Sequence, residues 1–182
     1  RVFHLHRARI DTVDFMGRIG ATLKRNKIME AIDMCNGTPG PIAEIMKAGI
    51  LKYDRPRSEI REAIEDAGVH EVPRLEKNLG VLASIATISP LLGLLGTVTG
   101  MVRCFQVIQE KSTSLNPISP GDLAGGIWEA LIATVAGLIV AIPTYVAYNY
   151  LVSRVDNFVL EMEKAATELM NMLGTRSDKH EI

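Results

Sequence analysis

Gly125-Gly126-Ile127-Trp128-Glu129-Ala130-Leu131-Ile132-Ala133-Thr134-Val135-Ala136-Gly137-Leu138-Ile139-Val140-Ala141-Ile142-Pro143 is the stretch whose reading decides the fold. A helix needs about 20 predominantly apolar residues to cross a hydrocarbon core ~30 Å thick, and this run with its flanks meets that length. Small side chains are frequent in it, and Glu129 is its one ionisable group. Asp, Lys and Arg each cost roughly 2.5–3.5 kcal/mol at the centre of a membrane helix. An ionisable group inside a span is therefore read first as a functional site, and the rest of the chain as what positions it.

Working outward, the distribution of charge matters more than its total. The 182 residues are 47% hydrophobic with a net charge of −1, values that by themselves suit a soluble domain. The apolar residues are concentrated, however. No charge lies between Lys77 and Arg103, and Glu129 is the only one between Asp122 and Arg154. Each stretch is long enough to span a bilayer. The expected fold is an all-α membrane protein, with long transmembrane helices that extend into a helical cytoplasmic domain. No basic patch with interleaved aromatics points to nucleic acid. Cys35 and Cys104 make no disulfide framework; the expected topology puts them on opposite sides of the membrane.

Along the chain, Arg1 to Lys27 reads as a helix, with Ile10, Val13, Phe15, Ile19 and Leu23 at roughly helical spacing. Its basic start, with Arg1, Arg7 and Arg9 beside Val2, Phe3 and Leu5, resembles the exit of a membrane helix. A further transmembrane helix is therefore expected ahead of Arg1, absent from this chain. A short helix over about Lys27–Cys35 is broken by Asn36-Gly37-Thr38-Pro39-Gly40-Pro41. The next runs from about Pro41 to Tyr53, with Thr38 as a candidate cap. Asp54 is a candidate cap for another, with Pro56 in its first turn and Gly68 as its stop. Pro73 opens a long helix expected to run unbroken through Val102 despite Pro90. Gln109–Gly121 reads as a loop, and Asp122 as the cap of a second membrane helix reaching about Leu173, with Gly174–Ile182 frayed.

Basic residues crowd the segment before Lys77 and recur at Arg154, Lys164, Arg176 and Lys179, whereas the loop has Lys111 alone. The positive-inside rule then sets the topology. Residues 1–77 form a cytoplasmic helical domain, 78–108 a transmembrane helix, 109–121 a periplasmic loop, 122–153 a transmembrane helix and 154–182 a cytoplasmic tail.

The first span carries Gly93, Gly96 and Gly100; the second carries Gly125, Gly126 and Gly137 among several alanines. Small residues let membrane helices approach closely, and the plainest use for most of these is to pack the two spans of one chain together, leaving others for contacts between subunits. Pro90 and Pro143 each remove a backbone donor and mark candidate kinks. Glu129 lies about two turns inside Asp122, ~10 Å along the axis. It can snorkel outward, pair with a basic group, or line a cavity. No Lys or Arg within either span is placed to pair with it, so a cavity in an oligomer or against a partner helix is the better account. A carboxylate so placed has the chemistry of a proton relay, either carrying the proton itself or setting the field for an Asp of a partner helix. Thr97 and Thr134 are further polar groups, although threonine more often bonds the carbonyl of its own preceding turn. Thr134 stands about 140° around the helix from Glu129.

The run Ile88-Ser89-Pro90-Leu91-Leu92-Gly93-Leu94-Leu95-Gly96-Thr97-Val98-Thr99-Gly100-Met101, followed by Pro120 to Pro143 with Trp128-Glu129-Ala130-Leu131-Ile132-Ala133-Thr134, resembles the MotA/TolQ/ExbB proton-channel family. Glu129 points to the ExbB/TolQ branch rather than the flagellar stators. Trp128 stands where smaller residues are common in the motif. The resemblance implies a subunit with three membrane helices, in a pentamer around an ExbD/TolR-like dimer of single-span chains in the central pore. It implies that protons are the transported ion, that Glu129, Thr97 and Thr134 line their pathway, and that a TonB- or TolA-like protein is acted on indirectly. The expected location is the bacterial inner membrane, in contact with lipid.

Two other readings stand beside this one. Glu129 could orient a partner helix in a non-conducting scaffold, or the chain could be a flagellar-stator-like relative. An enzyme is not expected. His4, His6, His70 and His180 are scattered as surface histidines would be. No nucleophile–base pair, metal-ligand spacing or phosphate loop stands out, so no catalytic residue, metal or cofactor is assigned.

Overall fold

The structure, a computed structural model, describes residues 12–112 and 119–177. Six helices occupy them: α1 (Thr12–Lys24), α2 (Ile28–Asn36), α3 (Pro41–Leu51), α4 (Arg57–Glu76), α5 (Leu79–Ser112) and α6 (Pro120–Ser177). No strand occurs among the described residues, and the all-α class expected of the sequence is what is found. The expected helix over Arg1–Lys27 is found from Thr12 to Lys24; its residues 1–11, residues 113–118 of the expected loop over Gln109–Gly121 and residues 178–182 of the tail lie outside the described residues. The chain divides into one unit of residues 1–77 with 154–182 and another of residues 78–153.

The first unit packs α1–α4 around the C-terminal part of α6. Phe15, Met16, Ile19 and Leu23 of α1 join Ile42, Ala43, Ile45, Met46 and Ile50 of α3 in one core. Ile60 and Ile64 of α4 and Met162, Ala165, Leu169 and Leu173 of α6 complete it. The three- and four-residue steps put one stripe of each helix inward. Val13, expected on that face, is instead 83% exposed, because the inward stripe of α1 runs through Phe15 and Met16. Gly49 lets three helices meet: a Cβ there would lie 2.7 Å from Leu169 Cδ2 and 2.8 Å from Ile64 Cδ1.

Several helix ends differ from the sequence expectation, each for a local reason. Asn26 adopts a left-handed φ of 63°, which turns the chain between α1 and α2. Thr38 does not cap α3; its hydroxyl donates 2.8 Å to the Met34 carbonyl and closes α2 instead. The residue ahead of α3 is Gly40, at φ 148°, with Pro41 in the first turn. Asp54 is no cap for α4, which begins only at Arg57 after Pro56.

The largest difference lies at the junction of the two units. Gly68 does not stop α4, and Pro73 lies inside it. The expected unbroken helix is instead interrupted at Lys77 (φ −47°, ψ 128°) and Asn78 (φ 68°). Asparagine visits the left-handed region at low cost, so the break falls there and not at Gly68 or Pro73.

The second unit is an antiparallel pair made by α5 and the first part of α6. Both helices are long and apolar enough to cross a membrane. Their large apolar side chains stand mostly outward: Leu91, Leu94, Val98, Val135, Ile139 and Ile142 are all exposed. A helix of a soluble core would bury such residues, whereas a membrane helix presents them to lipid. Helix α5 continues to Ser112, past the expected loop start at Gln109, and α6 begins at Pro120, ahead of Asp122. Proline suits that first-turn position because its missing N–H would have no partner there. At its other end α6 runs to Ser177, past Leu173. Both helices continue through Pro90 and Pro143.

Candidate functional site

The site is built on a seam of small residues. A Cβ on Gly93 would lie 3.1 Å from Thr134 Cα, and one on Gly137 would lie 2.7 Å from the Ser89 carbonyl oxygen. Gly96 abuts Ala133, and a Cβ on Gly100 would stand 2.7 Å from both the Gly126 carbonyl oxygen and Ala130 Cβ. Gly126 faces Cys104, whose thiol donates 3.4 Å to the Leu123 carbonyl. The two backbones are thus in near contact over several turns. Gly125 differs from these, with open space where a Cβ would project.

That register places the polar groups. Thr134 Oγ1 lies 3.3 Å from the Ala130 carbonyl of its own helix and 3.3 Å from the Gly93 carbonyl across the seam. It shares its hydrogen between the two helices, a role its sequence position alone does not show. Thr97 takes the plainer role and donates 2.6 Å to the Leu94 carbonyl. Thr99 does the same with Gly96 at 2.9 Å. Each hydroxyl oxygen keeps lone pairs with which to accept.

Glu129 has an intrachain partner, contrary to the expectation that no Lys or Arg could reach it. Arg103 Nη1 donates to Glu129 Oε1 in an ion pair. The span expected of the sequence, residues 78–108, already includes Arg103 near its end, but the sequence reading does not set the register of the two helices. In the structure α5 runs on to Ser112, so Arg103 lies inside the helix. With Gly100 against Ala130 and Cys104 against Gly126, the antiparallel register brings Arg103 level with Glu129. The signal that could have found the pair is the glycine spacing, which fixes the register once the helices are taken as antiparallel.

The two side chains are 62% and 58% exposed, so the pair lies on the outer surface of the helix hairpin. Among the described residues Glu129 is exposed rather than enclosed. An exposed ion pair in water stabilises by only about 0–1 kcal/mol. Covered by another helix, the same pair would be far harder to break, because removing one partner leaves a buried charge. Trp128 is exposed beside it.

Outside the hairpin, burial pushes the Cys35 thiol up to about 11, helped by Glu44 and opposed by Lys47. It is a structural thiol rather than a nucleophile. His70 is exposed; His4, His6 and His180 lie outside the described residues. Among the described residues, no three or more His, Cys, Asp or Glu side chains gather where they could hold a metal ion.

Residues 38–164 match the family model of the MotA/TolQ/ExbB proton channel family. The chain is 29% identical over 156 residues to a biopolymer transport protein ExbB homologue of Methanothermobacter thermautotrophicus, an alignment covering 86% of this chain and 54% of that protein. It is 36% identical over 118 residues to the biopolymer transport protein ExbB of Aquifex aeolicus, covering 65% of this chain and 76% of the relative. With the Tol-Pal system protein TolQ of Haemophilus influenzae, identity is 39% over 107 residues, covering 57% and 45%. The chain thus spans about half the length of the first and third of these relatives.

Proposed function

The chain belongs to the MotA/TolQ/ExbB proton channel family, and from that premise we propose that it is the multi-span subunit of a proton-driven complex that energises transport or maintenance at the cell envelope. The observation that carries this reading is Glu129. It is the only charged residue between Asp122 and Arg154, within a helix of membrane length, and it stands on the exposed face of the helix pair, where another chain can cover it. A carboxylate in that setting can take up and release a proton, and intramembrane ionisable groups mark ion pathways. The kinship with ExbB and TolQ favours biopolymer transport or a Tol-Pal role over a flagellar one.

In this reading several copies, five by the family resemblance, surround a pair of ExbD/TolR-like single-span helices. Proton flow moves that inner pair, which acts in turn on a TonB- or TolA-like protein. Thr97 and Thr134 continue the polar path along the hairpin. The unit containing residues 12–77 faces the cytoplasm, and the protein resides in the inner membrane.

A second reading is favoured by the Arg103–Glu129 pair itself. If the guanidinium serves only to neutralise Glu129, the chain is a scaffold that conducts nothing. Glu129→Gln separates the two, since glutamine keeps the shape and hydrogen bonding without ionising. In the proton-channel reading the variant assembles, yet proton flux into proteoliposomes falls to the level of protein-free vesicles. Undiminished flux and envelope function in an assembled Glu129→Gln complex would reject it.

A further inference from the structure

The chain pairs its one intramembrane carboxylate with one of its own cations, and this bears on which ion can use the site. Glu129 is the only charged residue between Asp122 and Arg154, and its Oε1 accepts from Arg103. The guanidinium brings a positive charge to the site. A hard metal cation is held by several oxygens, carboxylates foremost. Here the carboxylate's charge is already matched by Arg103. A sodium ion docking at Glu129 would sit within a few ångströms of a fixed positive charge, a repulsion that grows as the site is shielded from water. A proton meets the site differently. It forms an O–H bond with the carboxylate, leaves a neutral acid, and needs no shell of oxygens.

We infer that Arg103 makes the pathway selective for protons over sodium, by occupying at Glu129 the place that a metal cation would need. The inference rests on the reading of Glu129 as the proton site. Arg103 acts through Glu129 and is a positioning residue; it carries no proton itself. The packing of neighbouring Cys104 against Gly126 holds α5 in the register that this requires.

The test uses the full-length protein in its native complex, purified from its own membrane and reconstituted into proteoliposomes with an internal pH-sensitive dye. Proton entry is compared in sodium chloride and choline chloride, and uptake of radioactive sodium is followed in parallel. The intact complex and Arg103→Lys conduct equally in both salts and take up no sodium. Arg103→Gln conducts protons in choline, is slowed about threefold or more by sodium because the repulsion is gone, and accumulates sodium. Arg103→Cys guards against misfolding, since one preparation serves before and after labelling. It is sodium-sensitive as made, and a cationic thiol reagent, but not a neutral one of similar size, restores indifference to sodium. The native cysteines are buried. Sodium-blind flux in both Arg103→Gln and unlabelled Arg103→Cys overturns the inference, as does sodium inhibition of the intact complex. Absence of any proton flux in the intact complex, or full flux in Glu129→Gln, overturns the proton-channel reading itself and the inference with it.

Discussion

Gly100 and Gly126 face each other across the hairpin so closely that a Cβ on Gly100 would stand 2.7 Å from the Gly126 carbonyl oxygen. That obstacle is backbone, which cannot swing aside as a side chain can. Gly100→Ala is therefore expected to push the helices apart and lower the thermal midpoint of the detergent-solubilised protein, by overpacking of about 1–3 kcal/mol. Gly100→Leu is expected to prevent stable pairing. Gly125 has nothing within 4 Å of its Cβ position, so Gly125→Ala should leave the midpoint unchanged or slightly raised. Equal sensitivity at the two positions would mean that the seam is not where the structure puts it.

The two threonines assigned to the pathway differ in what else they do, and valine substitution exposes the difference. Thr134 bonds across to the Gly93 carbonyl, whereas Thr97 bonds only within its own helix. Interhelical hydrogen bonds in membranes are worth about 0.6 kcal/mol on average. Thr134→Val is expected to cost about that much stability, while Thr97→Val costs less and leaves hairpin packing as it is. If both hydroxyls serve conduction, proton flux falls in both variants, so in Thr97→Val flux is lost without a matching loss of stability. Measuring thermal midpoint and flux on the same preparations checks this.

In the other unit, Gly49 and Leu169 compete for one space. Leu169 is fully buried, and Leu169→Ala is expected to cost about 2–5 kcal/mol through lost burial and a residual cavity. A Cβ on Gly49 would come within 2.7 Å of Leu169 Cδ2, so Gly49→Ala alone is destabilising as well. Together the two changes should be less costly than their sum, because the added methyl occupies part of the space that the leucine vacates. Denaturation of the four proteins of this double-mutant cycle gives the coupling energy directly, and strict additivity would show that the two residues do not touch.

The break at Asn78 shows how much of the chain was legible and where legibility stopped. Apolar runs bounded by charge marked both membrane-length helices, because burial in lipid demands uninterrupted apolar surface over a fixed length. Helix ends were less readable. Gly68 and Pro73 are stronger formal stop signals than Lys77-Asn78, yet α4 passes through both; packing of Ile60 and Ile64 into the core anchors that helix more firmly than local propensity can undo. The Glu129 site was legible as an anomaly of charge, and the threonines were flagged through the family resemblance. The Arg103 contact was not legible, since it depends on the register of two helices.

Asn78 yields its own prediction. Its φ of 68° is a conformation that glycine adopts without penalty and that costs most other residues about 1–2 kcal/mol. Asn78→Gly is expected to preserve stability, and Asn78→Ala to reduce it by about 1 kcal/mol or to favour a continuous helix across the junction. Thermal midpoints for the two variants check the first expectation. Backbone hydrogen exchange at residues 77–80 checks the second, since a continuous helix in Asn78→Ala would slow exchange there while the Asn78→Gly variant should match the parent.

Cys35 gives the molecule a defined response to alkali. Its thiol is raised from an ordinary 9.0 to about 11, chiefly by burial and further by Glu44, against the opposing effect of Lys47. The folded protein therefore holds the thiol proton over a range in which the unfolded chain has released it. Since the unfolded state binds fewer protons there, stability falls as pH rises. The contribution is complete below the unfolded value of 9.0 and is lost as pH rises through about 11. Denaturation followed across that window should show a downward slope that is shallower in Cys35→Ala, whatever cost the small cavity adds at all pH values. The same burial predicts slow alkylation of Cys35 at neutral pH until the unit unfolds. Rapid labelling of the native protein, or an identical slope in Cys35→Ala, would show that the thiol is not held in the core of α1–α4 as described.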